Sequence, residues 1–174
     1  STAVEEIDHL IINEVMYDPE TNDYYNEWIE IYNPTNRSIN ISGWSIVDNS
    51  AEDFIIGDFD HGNGTTTIPA HGYGIIADHE TTIYENFTVS NYSIKLYVDD
   101  NNIGNGLGNQ RDMILLKNIS GYVVDAVEYG NNYPEVPGLP ADLVKEGNSL
   151  ARYYETDTDN SSIDFFEATN VTPG

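Results

Sequence analysis

The chain contains no cysteine. Disulfides, thiolate metal sites and cysteine nucleophiles are therefore excluded. Basic residues are almost as scarce: three lysines and three arginines, none of them clustered, stand against thirty acids. Proteins grip a phosphate backbone by releasing counterions to lysine and arginine, so nucleic-acid binding by this domain is not expected. An anionic membrane surface is disfavoured for the same reason. No apolar run approaches the roughly 18 to 20 residues of a membrane helix, so membrane insertion is not expected either. The first residues, STAVEEIDHL, lack both the basic start and the apolar segment of a secretory leader, and there is no initial methionine. This reads as a piece of a longer or processed chain, which leaves secretion open.

Catalytic spacing is missing as well. His9, His61, His71 and His79 are isolated, with no HExxH pair. Serines are frequent, but no GxSxG turn presents one as a nucleophile. The glycine-rich residues 104–108 lack the lysine of a phosphate loop and read as a flexible loop. Glu27 and Glu30 are three apart on a strand, which places them on opposite faces, where they cannot attack one glycosidic bond together.

What the chain has is length, acidity and strand-forming residues. Its 174 residues fit one domain with a sizeable core. The formal charge of −24 keeps a surface protein soluble and suits a salty medium, where screening relieves self-repulsion. Eight Asn-x-Ser/Thr acceptor sites, at Asn36, Asn40, Asn63, Asn86, Asn91, Asn118, Asn160 and Asn170, give mild support to export.

Short runs rich in Ile, Val, Tyr and Thr recur between turn signals, predicting strands over 10–17, 27–33, 43–48, 54–56, 65–68, 73–77, 94–98, 112–117 and 122–129. Pro19 and Pro34 stop the first two. Residues 118–121 should close a hairpin. Helix is confined to about two turns over 140–146, where proline stands early and Gly147 follows, and one turn near 80–85. The pattern predicts an all-β fold with long loops and at most one or two short helical turns. The domain should run over 9–170, with 1–8 as an N-terminal extension and 171–174 as the start of a linker.

One ordered set of pieces goes further. Ile12-Asn13-Glu14-Val15 is followed by Asn26-Glu27-Trp28-Ile29-Glu30-Ile31-Tyr32-Asn33, then Ile41-Ser42-Gly43-Trp44. Later come Ile68-Pro69-Ala70-His71-Gly72-Tyr73, a glycine-asparagine stretch ending in Arg111-Asp112, Val124-Asp125-Ala126-Val127, and Asn148-Ser149-Leu150-Ala151-Arg152. Together they resemble the lamin tail domain family in its prokaryotic secreted or surface type, although Gln110 and Arg111 depart from the family's Leu-x-Asn-x-Gly-Asp region. The resemblance implies an immunoglobulin-like β-sandwich without a catalytic constellation, often placed beside hydrolase or nuclease domains.

Two groups stand out as candidate sites. Asp157, Asp159, Asn160 and Asp164 offer oxygen ligands at calcium-like spacing, although the loop glycine and closing glutamate of an EF-hand are missing. Ordinary side-chain turns are the competing account. Asp125 shares a strand face with Val123 and Val127, so its carboxylate should be buried and needs a partner. Arg152 and Arg111 are the available bases, and Glu14 is a candidate to join them in a structural ion pair. Thirteen tyrosines, among them Tyr24, Tyr25, Tyr92, Tyr97, Tyr153 and Tyr154, suit either strand composition or a sugar-binding face.

The expected role is a non-catalytic module of an extracellular or cell-surface protein, with no resident cofactor. Its partner would be a protein, a cell-surface component or another domain of the same chain. An accessory module for calcium or carbohydrate beside a secreted hydrolase is the alternative.

Overall fold

A computed structural model describes residues 6–174. Twelve strands and three single-turn helices follow one another: β1 (Ile11–Met16), α1 (Asp23–Asn26), β2 (Trp28–Tyr32), β3 (Ile39–Asn40), β4 (Ser45–Val47), β5 (Glu52–Ile56), β6 (Thr67–Ile68), β7 (Tyr73–Ala77), α2 (Ile83–Asn86), β8 (Ile94–Val98), β9 (Asp112–Lys117), β10 (Val123–Tyr129), β11 (Ser149–Arg152), α3 (Ser161–Asp164) and β12 (Phe165–Ala168). Ten strands form one sheet in the order β10-β9-β4-β5-β8-β7-β2-β1-β11-β12, and β3 pairs with β6 separately. The ladders are antiparallel except for the β7–β8 pair. The long sheet curls so that its two halves face each other, the arrangement of an immunoglobulin-like sandwich.

Alternation of side chains builds the layer between the halves. Ile29, Ile31, Ile76, Leu96, Ile114, Leu116, Val127 and Leu150 all point into it and are buried. Tyr17 and Tyr129 stack there at 4.0 Å between ring centroids. The outer face of the β1-β2-β7-β8 half has its own apolar layer, in which Met16, Trp28, Ile75 and Tyr97 are roofed by α2 and Val171. Burial on both faces explains why β1 and β2 read as nearly unbroken apolar runs.

A β-bulge interrupts β1 between Ile12 and Glu14. It exchanges the two faces of the strand: Leu10 and Ile12 point inward before it, Val15 and Tyr17 after it. Simple alternation would group Ile12 with Glu14; the bulge sends Glu14 outward. A second bulge between Val123 and Asp125 leaves Asp125 buried while Val123 stands out in solvent.

The helical turns differ from expectation in number and place. The run 140–146 is extended: Ala141 bridges to Tyr129, and the Val144 amide donates to the Tyr17 hydroxyl at 2.7 Å. Burying Ala141 and Val144 in the core outweighs the weak helix preference of seven residues. Three turns form in the described chain rather than one or two. Asn160 caps α3 by accepting from the Ser162 amide, and Asn26 at the end of α1 accepts from Asn86 at the end of α2. Strands β3, β11 and β12 were not anticipated.

The last four residues, expected to open a linker, lie along the outer face. The Thr172 amide and hydroxyl donate to Glu14, the Gly174 amide donates to Glu30, and the Pro173 carbonyl accepts from the Ser90 amide.

Candidate functional site

Arg152 is the hub of the late chain. Strand β11 pairs with β1 and directs this side chain inward, where it is buried. Its Nε donates to the Ile12 carbonyl at 2.7 Å and its Nη2 to Asp125 Oδ2 at 2.7 Å. Nη1 donates to the Thr156 carbonyl at 2.9 Å and to Asp157 Oδ1 at 3.3 Å, with Asp164 Oδ2 at 3.6 Å. The guanidinium also lies 4.5 Å above the centre of the Phe165 ring. Asp125 in turn accepts from the Ile12 and Ala126 amides. One planar cation thus ties β1, β10, β11, the 155–160 loop and α3 together.

Burial dominates the electrostatics of this pair. It pushes the Asp125 carboxyl up to about 6, against the opposing pull of Arg152. His9 adds a contact, its Nε2 standing 3.4 Å from Asp157 Oδ2.

The other residues considered for this pair lie elsewhere. Arg111 is exposed just before β9 and makes no ion pair among the described residues. Glu14 occupies the opposite face of the sheet, where it accepts from the Ser149 and Thr172 hydroxyls. It stands directly across from Glu30 on β2, and both are buried. Glu30 accepts from Asn13 and from the Gly174 amide, and burial raises it to about 7.

The proposed calcium residues are engaged in the fold. Asp157 and Asp164 flank Arg152, Asp164 also takes the Thr158 amide and hydroxyl, and Asn160 caps α3. Asp159 is an exposed residue with left-handed backbone. Among the described residues, no group of three or more His, Asp or Glu is arranged to hold a metal ion.

A larger acidic assembly escaped sequence reasoning. Glu27, Asp48, Asp53, Asp78 and Asp112, from the ends of five strands, are buried at one pole. The 103–109 loop lies across them with its amides turned inward. Gly104 donates to Asp53 at 2.6 Å, Leu107 to Glu27 at 3.0 Å and Gly108 to Asp112 at 2.8 Å. Asn109 bridges Asp18 and Asp23. This loop was expected to be flexible; instead it supplies the dipoles that cover the carboxylates. Burial pushes Glu27 up to about 9 and Asp78 up to about 7. The sequence signal was present as five acids each beginning or following an apolar run, but only the topology gathers them.

The tyrosines do not form one platform. Tyr97 is buried with its hydroxyl accepting from the His61 amide, whereas Tyr24, Tyr25, Tyr92, Tyr153 and Tyr154 are exposed on separate segments. Of these, Tyr153 packs against Phe166 at 4.7 Å between ring centroids. On the other half of the sheet, Phe54, Ile119, Tyr122 and Val123 are exposed.

These buried charges and hydrogen bonds close the two halves of an immunoglobulin-like module. The Lamin Tail Domain family matches residues 4–131, and the chain belongs to that family. No curated protein matches the chain. Strands β11 and β12 and the Arg152 hub lie beyond the matched segment, yet β11 pairs directly with β1 inside the sheet.

Proposed function

We propose that the domain is an attachment module of an exported or cell-surface prokaryotic protein, working by contact with another protein. The observation that carries this reading is a free sheet edge flanked by exposed large apolar side chains, Tyr153, Ile163 and Phe166, on a domain with a formal charge of −24. High acidity and the acceptor asparagines support an extracellular setting.

Two measurements test it. Protease treatment of intact source cells should remove the domain, whereas protection until lysis would contradict a surface location. A glycan array with and without calcium should show no saturable binding. A specific sugar signal would replace protein contact with the accessory carbohydrate role.

A further inference from the structure

The sheet has two ends, and they are not equivalent. At one end, β10 is closed over the second half of its length. Ala141 donates to the Glu128 carbonyl at 2.9 Å and accepts from the Gly130 amide at 3.2 Å. The Glu128 amide donates to the Ser161 hydroxyl, and Asp125 is turned to the Ile12 amide. At the other end, β12 pairs with β11 along one side, and its opposite side has no backbone partner among the described residues.

Natural edge strands are guarded by lysine, proline, bulges or shortness. Strand β12 reads Phe-Phe-Glu-Ala, with no lysine, proline or bulge; its guards are shortness and the one charge of Glu167, which a basic partner would turn into an attraction. Large apolar side chains stand beside it: Phe166 is 37% exposed and packed against Tyr153, which is 51% exposed. Ile163, in the turn just before the strand, is 55% exposed. Over the face of β1, β11 and β12, on the side away from the free edge, lies an open and largely polar groove of about 410 Å³ whose lining includes Glu14, Ala151, Phe166, Glu167 and Thr172.

Resting on the attachment reading, we propose that the free edge of β12 pairs with an extended, net-basic segment of a partner protein. The segment's backbone would complete the ladder and its apolar side chains would cover Phe166 and Tyr153. Strand addition draws affinity from main-chain bonds and specificity from alternate side chains. Charge selects the class of partner: a domain at −24 repels acidic segments and a second copy of itself, and it steers basic ones toward it. Side chains on one face of an added strand would contact Phe166, while the opposite face would meet Glu167.

The test uses the whole chain and two capped peptides of equal charge, one alternating valine with lysine and one alternating glycine with lysine. Chemical-shift mapping should place the valine–lysine peptide on 165–168, with binding at least ten-fold tighter than the glycine–lysine peptide. Phe166→Lys and Ala168→Pro should each weaken it at least ten-fold while thermal unfolding shows that the fold persists; a variant that does not fold is set aside and the other decides. Equal binding of both peptides would reduce the effect to charge and overturn the proposal. Shifts at Phe54, Ile119 and Tyr122 would overturn the choice of edge while leaving attachment standing. Attachment itself fails separately, by protection from protease on intact cells.

Discussion

Replacing Glu27 with glutamine should stabilise the protein at neutral pH. Glu27 stands just before β2, buried, with one oxygen accepting from the Leu107 amide and with Asp23, Asp78 and Asp112 as charged neighbours. Desolvation raises its carboxyl from the ordinary 4.5 to about 9. The folded state therefore holds a proton that the unfolded chain has lost. Stability is greatest below about 4.5 and declines as pH rises toward about 9. At pH 7 the gap above the ordinary value is about 2.5 pH units, each worth about 1.4 kcal/mol, so the penalty is about 3–4 kcal/mol.

Glutamine keeps the acceptor for Leu107, carries no charge, and presents its amide hydrogens to acidic neighbours. Urea unfolding of both proteins at pH 4.5, 7 and 9 measures the difference directly. Glu27→Gln should match the parent within about 0.5 kcal/mol at pH 4.5 and exceed it by about 3–4 kcal/mol at pH 7, with a wider gap at pH 9. Because the comparison is made at each pH, the self-repulsion of the remaining acids largely cancels. A variant less stable than the parent at pH 7, or a difference that does not change with pH, would refute the argument that burial keeps this carboxyl protonated.

Arg152→Ala should lose about 3–5 kcal/mol in the same assay, because it leaves Asp125, Asp157 and Asp164 around a vacated cation position; a loss under about 0.5 kcal/mol would mean that the arginine is dispensable. Gly104→Ala should cost about 1–3 kcal/mol through its left-handed backbone alone (φ +61), and more because the added carbon meets the Asp48 carboxylate. A thermal midpoint unchanged within about a degree would contradict the described loop. Millimolar calcium should raise the midpoint no further than magnesium does, since Asp157 and Asp164 already serve Arg152. A saturable rise with calcium alone would restore the 157–164 loop as an ion site.

Much of the fold was legible because strand chemistry is local. Alternation and proline stops located β1, β2 and β7 to β10 to within two residues at either end. Asp125 with Arg152 was also within reach, since a lone acid on a core face needs one of six bases. Parity misled where bulges intervened: Glu14 reads as a companion of Ile12, yet one extra residue turns it to the other face. Short strands were lost for a different reason. Ser149–Arg152 and Phe165–Ala168 are too brief to show a period, and their identity comes from β1, which they extend into a wider sheet. The acidic pole was illegible because its five carboxylates are distant in sequence and meet only when the strand ends converge.

A photo-cross-linking residue placed at position 166 in the whole protein, in its own host, tests the central claim most directly, with the same residue at position 119 as control. Contact through the β12 edge predicts a discrete adduct with one extracellular protein from position 166 and none from position 119. Equal labelling from both positions, or none from either, would contradict it.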